Sequence, residues 1–578
     1  MKKTNRVVII GMDGLDPNCL KNFSSQGLLP NFTKLIKTGF FSKLTTTTPP
    51  QSPVAWASFA TSTSPAKHQI FDFIKRNKNN YLPHLTFSHA LNKENPIKAD
   101  SFWQKAKKKN IPTQTLFLPN TFPLPDTTDT MISGMGTPCI DGTESTCHFY
   151  FTQASAKEVD QEARSHLVVL PNQKKIKTEI RGPKKLSAKG LTPITIPLEL
   201  VIKKNTLQIK VQNQTINLKP NKLSSWIEFN FKINPFKRFH AIGKFFLKSI
   251  NPLKLYLSPL NFHPQNPPFS ISQPKNFSAQ LFNQHGHFAT LGLPNDTWAL
   301  EHNFLTSQIF LKEAHQIIVD REKIILNQLK NFSSGLFVAY FNTPDPVQHM
   351  FYANSQNKKD PHSSAIKNIY LRMDKTLSKI NSLLEKDDLL IILSDHGFGP
   401  FNYEVHLNTI LKEHSLLSLK SNTISNEFLQ NTNWNKTKAY ALGFNSIYLN
   451  LKGRESEGIV SPKDKKKVIK KITAVLKNLK YQKKPVVKNV YSKKDLGILE
   501  RTDSPDIIVG YYQGFRASWK TAVGDLDKKA ITKRTQKWSG DHLFDASEVP
   551  GILLSNQKLN LKSPSITDIA SLAIKLLS

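Results

Sequence analysis

Residues 7–10 (VVII) form an unbroken apolar run that closes on Gly11, Met12 and Asp13. A short run with no polar member predicts a strand buried on both faces, as in a parallel sheet. The pattern returns at residues 336–341 (LFVAYF), followed by Asn-Thr-Pro-Asp345, and at 389–393 (LLIIL), followed by Ser394, Asp395 and His396. Between those two runs Ile366, Ile369, Tyr370, Met373, Leu377, Ile380 and Leu384 recur at helical spacing, which predicts a βαβ unit. Further short strands are expected at 40–44, 507–510 and 551–554, and a helical segment after Asp13 reaching Ile36.

Two stretches break this pattern. From 155 to 290 apolar residues alternate with polar ones: Leu207, Ile209 and Val211, then Ile216 and Leu218, then Ile227, Phe229 and Phe231, with a turn near Asn213. That is antiparallel β, and a Pro-rich stretch over 264–274 leads out of it. From 401 to 490 a second insertion carries a helix predicted to start at Ser461-Pro462, with Val468, Ile469, Ile472, Val475, Leu476 and Leu479 as its apolar face. The expected division is therefore core at 1–154, 291–400 and 491–578, an inserted β-rich domain at 155–290, and a small insertion or cap at 401–490. The fold class is α/β: a mainly parallel sheet flanked by helices, plus the β-rich domain and a smaller α/β insertion.

Charge adds little to this picture. Across 578 residues the formal net charge is +36, but only eleven of the 79 basic residues are Arg. The lysines are scattered, and Arg is the better phosphate fork, so no specific nucleic-acid partner is expected. Cys19, Cys139 and Cys147 form no disulfide framework and no zinc-finger spacing. The start MKKTNRVVIIGMDG carries too short an apolar run for a signal peptide, and no run approaches a membrane span. The expectation is a cytoplasmic protein.

Chemistry concentrates in four places: Asp13; Asp345 and His349 in TPDPVQHMFY; Asp395 and His396 in LSDHGFGP; Asp541 and His542 in WSGDHLFD. Three of the four follow an apolar strand, and a parallel sheet gathers such ends along one edge. Four carboxylates and three imidazoles suit zinc or manganese rather than calcium, and suffice for two open sites. Two divalent ions about 3.5–4 Å apart can clamp the attacking and leaving oxygens of phosphoryl transfer. The hydroxyl-rich stretch at 45–69 has one histidine, His68, and no recognisable Ser-His dyad. A metal-bound serine needs no such base. Ser52, ahead of Pro53 and the helix-like VAWASFAT, stands where helix N–H groups can also meet phosphate.

The motifs VVIIGMDGLDP, PPQSPVAWASFATSTSPAKHQIFDF, TPDPVQHMFY, LSDHGFGPF and WSGDHLFD resemble, in order, those of the alkaline phosphatase superfamily. The closest likeness is to its type I phosphodiesterase/nucleotide pyrophosphatase branch and the bacterial phosphohydrolase/phosphomutase relatives. The resemblance implies an alkaline-phosphatase-like core, two divalent ions (Zn2+ favoured, Mn2+ the alternative), a small phosphorylated substrate and a phospho-enzyme intermediate. Ser52 becomes the nucleophile. One ion falls to Asp13, Ser52, Asp395 and His396, the other to Asp345, His349 and His542, with Asp541 orienting His542. Arg516, in GFRASW, is a candidate phosphate clamp. The chain departs from the family where glycines are replaced by Ser62 and Gln69. It departs again where a phosphate-holding Asn of the nucleotide pyrophosphatases gives way to Phe71-Asp72-Phe73. The implied activity is a metal-dependent phosphohydrolase. A phosphomutase with the same site is the alternative, and a non-catalytic basic binding protein a third.

Overall fold

A computed structural model describes residues 4–87, 95–125, 129–153, 165–187, 190–421, 425–499 and 503–578. Its centre is an eight-stranded sheet. In chain order the strands are β1 (Arg6–Met12), β2 (Phe40–Leu44), β3 (Thr113–Leu116), β4 (Thr130–Ile132), β5 (Ser272–Gln273), β6 (Gly335–Phe341), β7 (Leu389–Leu393) and β8 (Gly551–Ser555). Their spatial order is β5-β4-β3-β6-β1-β7-β8-β2. β1 lies between β6 and β7, parallel to both, with Ile9 opposite Val338 and Ile391. All seven residues of β1 are buried, as expected of an apolar run covered on both faces. β8 and β2 close one edge antiparallel.

The two helices that matter for the site are α1 (Ser52–Thr61) and α2 (Pro344–Gln356). Every residue of α1 is buried, so it is a core helix without a solvent face. The edge of its Trp56 indole meets β1 at Gly11, where an added Cβ would approach the ring to 2.5 Å. A side chain at position 11 would push α1, and Ser52 with it, off the sheet.

The β-rich lobe alternates as its sequence does, with Ile227, Phe229 and Phe231 buried beside exposed Glu228 and Lys232. Its expected start at 155 lies outside the described residues. Upstream of it, Cys147–Phe151 already pairs with Leu253–Leu257. In the small lobe the strand Ile507–Tyr511 pairs with Ser446–Leu449 and Val487–Ser492, not with the main sheet. Its apolar run satisfies either sheet equally well, so hydropathy alone does not assign it. The lobe's helix is Lys465–Lys477, starting after the Ser461–Asp464 turn rather than at it.

The two lost glycines keep a glycine's backbone. Ser62 has φ 51° and Gln69 has φ 68°, both left-handed. For a side-chain-bearing residue that conformation costs roughly 1–2 kcal/mol, partly offset by the smaller unfolded-state freedom of a non-glycine. We expect Gln69→Gly to stabilise the protein by about 0.5 kcal/mol, read as a higher urea midpoint at unchanged slope.

Candidate active site

The carboxyl-terminal edge of the sheet gathers the expected residues. Asp13 follows β1, and its N–H donates to Phe341 O of β6 at 3.0 Å. Asp345 sits in the first turn of α2, and His349, one turn on, brings Nε2 to 3.3 Å from Asp345 Oδ1. Asp395 and His396 follow β7, and His542 arrives from a loop whose short strand Gly540–Asp541 pairs at Gly399–Pro400. Ser52 Oγ lies 3.5 Å from Asp13 Oδ1 and 3.1 Å from His396 Nε2. His396 Nε2 is also 3.5 Å from Asp13 Oδ1, 3.2 Å from Asp395 Oδ2 and 4.0 Å from Asp345 Oδ1. His542 Nε2 is 3.8 Å from Asp345 Oδ1, and its ring stacks on His396 at 3.5 Å between centroids. The structure thus sets His396 against both expected ligand groups: it clusters with Asp13 and Asp395, and equally with Asp345 and His542.

Three imidazoles are oriented alike, by partners that carry no sequence signal. His349 Nδ1 donates to Gly540 O at 2.7 Å, His542 Nδ1 to Pro50 O at 2.7 Å, and His396 Nδ1 to Gly397 O at 3.1 Å. With the proton held on Nδ1, each Nε2 turns a lone pair into the site. The Asp13 carboxylate is fixed by Trp56 Nε1 at 3.1 Å and by the Tyr340 hydroxyl, two further partners that sequence reasoning missed. Trp56 stands one helical turn after Ser52, which was the available clue.

The electrostatics are those of carboxylates without a counter-charge. Burial, then the neighbouring Asp395 and Asp345, drives the Asp13 carboxyl well above its ordinary value. Burial, then Asp345, lifts Asp395 to about 7. Burial pulls His396 far down and His542 to about 4. Burial opposes a charge on His349 too, but Asp345, Asp541 and the Gly540 carbonyl together outweigh it and the net shift is upward. Asp345 Oδ1 and Asp395 Oδ2 are buried with no hydrogen-bond partner among the described residues. Unspent carboxylate oxygens facing imidazole lone pairs fit a divalent cation, which would supply the missing charge.

The same tautomer test excludes a second cluster. Glu228, His263 and His287 also converge, with Glu228 Oε1 3.3 Å and 2.9 Å from the two Nε2 atoms. There Gln265 N donates to His263 Nδ1 at 3.1 Å, so the proton sits on Nε2 and faces Glu228. His263 is therefore a hydrogen-bond donor to Glu228 and offers no lone pair to a metal. The test applies equally to Ser58 and His68, a Ser-His pair at 2.8 Å that the sequence did not reveal. Ile70 N donates to His68 Nδ1 at 3.2 Å, so Nε2 donates to Ser58 and cannot serve as its base.

Asp541 and Arg516 lie behind the imidazoles. Asp541 Oδ1 accepts from His542 N at 2.8 Å and Leu543 N at 3.0 Å, while Oδ2 is 2.9 Å from Arg516 Nε and 4.0 Å from His349 Nδ1. The Arg516 guanidinium is packed over Phe401, Phe444 and Trp519 at 4.5–5.0 Å. No contact of Arg516 with Ser52 or Asp13 is found among the described residues. Its visible task is to hold Asp541, whose acidity burial weakens and Arg516, together with His349, His542 and the Leu543 amide, more than restores. Asp72 is likewise committed to protein donors, Gln51 Nε2 at 2.9 Å and Phe444 N at 2.8 Å.

A mixed, mainly parallel α/β sheet with a buried serine, carboxylates and imidazoles at its carboxyl edge fits the alkaline-phosphatase-like phosphoester hydrolases, and a family match puts the chain in that class. Within it the model for type I phosphodiesterase/nucleotide pyrophosphatase matches residues 7–183 and 262–539, and the chain belongs to that family, a branch of the alkaline phosphatase superfamily. The family is generally dependent on divalent metal. Similar solved structures include phosphonoacetate hydrolase from Sinorhizobium meliloti in complex with phosphonoacetate. It is 11% identical, with TM-score 0.49, over 100% of this chain and 96% of that one. Another is murine ectonucleotide pyrophosphatase/phosphodiesterase 5 in complex with AMP, 10% identical, with TM-score 0.44, over 100% and 95% of the two chains. Comparison with curated proteins finds no match. No helix among the described residues is long and apolar enough to cross a membrane.

Proposed function

We propose that the protein hydrolyses phosphate esters through a phospho-Ser52 intermediate, with two divalent cations. The observation that supports this most directly is Ser52 Oγ, buried within 3.5 Å of Asp13 and 3.1 Å of His396 amid unspent carboxylate oxygens. Asp13, Ser52, Asp395 and His396 would hold one cation, and Asp345, His349 and His542 the other. Zinc is favoured over manganese by the imidazole share of the donors. Such ions neutralise charge on the attacking and leaving oxygens.

The chain's own part is positioning. Pro53 has no N–H, and Val54 N and Ala55 N are spent on Gln51 O at 2.9 Å and 2.8 Å. The start of α1 therefore offers the substrate one amide, that of Ser52, instead of the several a bare helix end presents. As the Ser52 Oγ–phosphorus bond forms, the bond to the leaving alcohol breaks. The serine proton passes to solvent and the alcohol takes one up. Water then cleaves phospho-Ser52, restoring the serine and releasing phosphate or its monoester. The two inserted lobes shape the substrate pocket, since specificity on a shared core resides in its insertions.

The test is turnover of para-nitrophenyl phosphate and bis-para-nitrophenyl phosphate by protein stripped of metal and reloaded with zinc or manganese. The expected result is metal-dependent release of nitrophenol, with the preferred ester dividing monoesterase from diesterase. Two ions bound and neither ester cleaved would defeat the proposal as a general hydrolase and direct attention to phosphoryl return within one substrate.

A further inference from the structure

The tripeptide Pro50-Gln51-Ser52 does three jobs in succession. Pro50 O holds His542 Nδ1, Ser52 carries the hydroxyl, and Gln51 between them reaches away from the site. Gln51 is fully buried. Its carbonyl accepts the first-turn amides of α1, Val54 and Ala55. Its side chain is entirely spent on protein: Nε2 donates to Asp72 Oδ2 at 2.9 Å and to Asn445 Oδ1 at 3.3 Å, and Oε1 accepts from Phe73 N at 3.1 Å. No atom is left over for a substrate.

The far side of this network belongs to the small lobe. Asn445, also fully buried, donates through Nδ2 to Val509 O at 2.9 Å and to Leu543 O at 3.4 Å, the carbonyl next to His542. Its neighbour Phe444 donates its N–H to Asp72 and lies 4.5 Å beneath Arg516. Gly443 admits the approach: with φ 81°, a Cβ there would stand 2.6 Å from Asp72 Oδ2. One three-residue loop thus touches the residue before the nucleophile, the residue after a histidine of the site, and the arginine behind that histidine.

We infer that Gln51 is the positioning residue of the nucleophile and that the small lobe fixes it through Asn445 and Asp72. This rests on the role given to Ser52 above. A buried, fully satisfied polar network has one arrangement, and loss of a single member leaves the others unpaired. The lobe, besides covering the substrate, completes the floor on which Ser52 stands.

The experiment compares wild type, Gln51→Met and Asn445→Ala, all zinc-loaded, for kcat, KM, metal content and hydrogen exchange. Both variants should lose roughly 10- to 100-fold in kcat, the scale of an approximately 1 Å misplacement. KM should stay within about twofold and metal content should not change. Amides over 51–56 should exchange faster while those of β7 keep wild-type protection. A kcat near wild type with unchanged exchange at 51–56 overturns the inference, and so does a raised KM with intact kcat, which would mean substrate contact. Should Gln51→Met fail to fold, Asn445→Ala carries the test. If wild type cleaves neither ester, the reading of Ser52 fails separately, and exchange at 51–56 alone then decides whether the network holds α1.

Discussion

Ser52→Ala should abolish turnover, by roughly 10⁴-fold or more in kcat, while both cations stay bound. The size follows from what is removed. Among the hydroxyls of the 45–69 stretch, Ser52 Oγ is the one in contact with Asp13 and His396. Without it water must attack directly, and the advantage of a nucleophile held in place disappears. Cation binding survives because Asp13, Asp395 and His396 remain. Ser58→Ala is the control, since Ser58 also sits 2.8 Å from a histidine and looks equally catalytic on distance alone. Its hydroxyl accepts a hydrogen bond from His68 Nε2, and burial holds that imidazole neutral, down at about 3. Ser58→Ala should keep activity within a few-fold. Equal losses in the two variants, read by ester turnover with metal content measured alongside, would remove Ser52 from the mechanism.

Legibility in the sequence followed the physics of each signal. Asp13, Asp345 and Asp395 were readable because a strand buried on both faces leaves an unbroken apolar run, and an acid just past it is conspicuous. His349 was readable as the histidine of TPDPVQHMFY, though not that a helix would set it one turn above Asp345. The carbonyls of Pro50, Gly397 and Gly540, which decide where the imidazole protons sit, were not readable, because every residue has a carbonyl and only the fold aims it. Tyr340 and Trp56 looked like ordinary core residues, and for most of their surface they are. The strand Ile507–Tyr511 was readable as a strand, but its partners in the small lobe were not, since hydropathy reports burial and not the neighbour. Ser62 and Gln69 read as losses of glycine, yet the backbone they adopt is the glycine's own.

Stripped of metal, the protein should lose stability as pH rises above about 6.5, and zinc should reverse the trend. Asp13 and Asp395, raised in the fold from an ordinary value of 3.8, hold protons that the unfolded chain has released. Rising pH therefore favours unfolding, by at most about 1.4 kcal/mol per pH unit for each group. His396 and His542, lowered from 6.5, act oppositely: the unfolded chain binds their protons below 6.5, so stability rises with pH up to that point. From about pH 4 to 6.5 the two pairs offset each other. Above 6.5 the histidines of the unfolded chain are neutral and their contribution is spent. Asp13, Asp395 at about 7, and the raised His349 then all push stability downward. A bound cation inverts this, because it takes the carboxylates ionised and the imidazoles neutral, so binding releases protons and tightens with pH. At a free concentration a thousand times its dissociation constant, each ion adds about 4 kcal/mol. Thermal unfolding of stripped and zinc-reloaded protein between about pH 6.5 and 8.5 should give curves that diverge. Parallel curves would mean that these carboxylates do not meet the metal, and the ligand set proposed here would have to be abandoned, whatever the enzyme's activity.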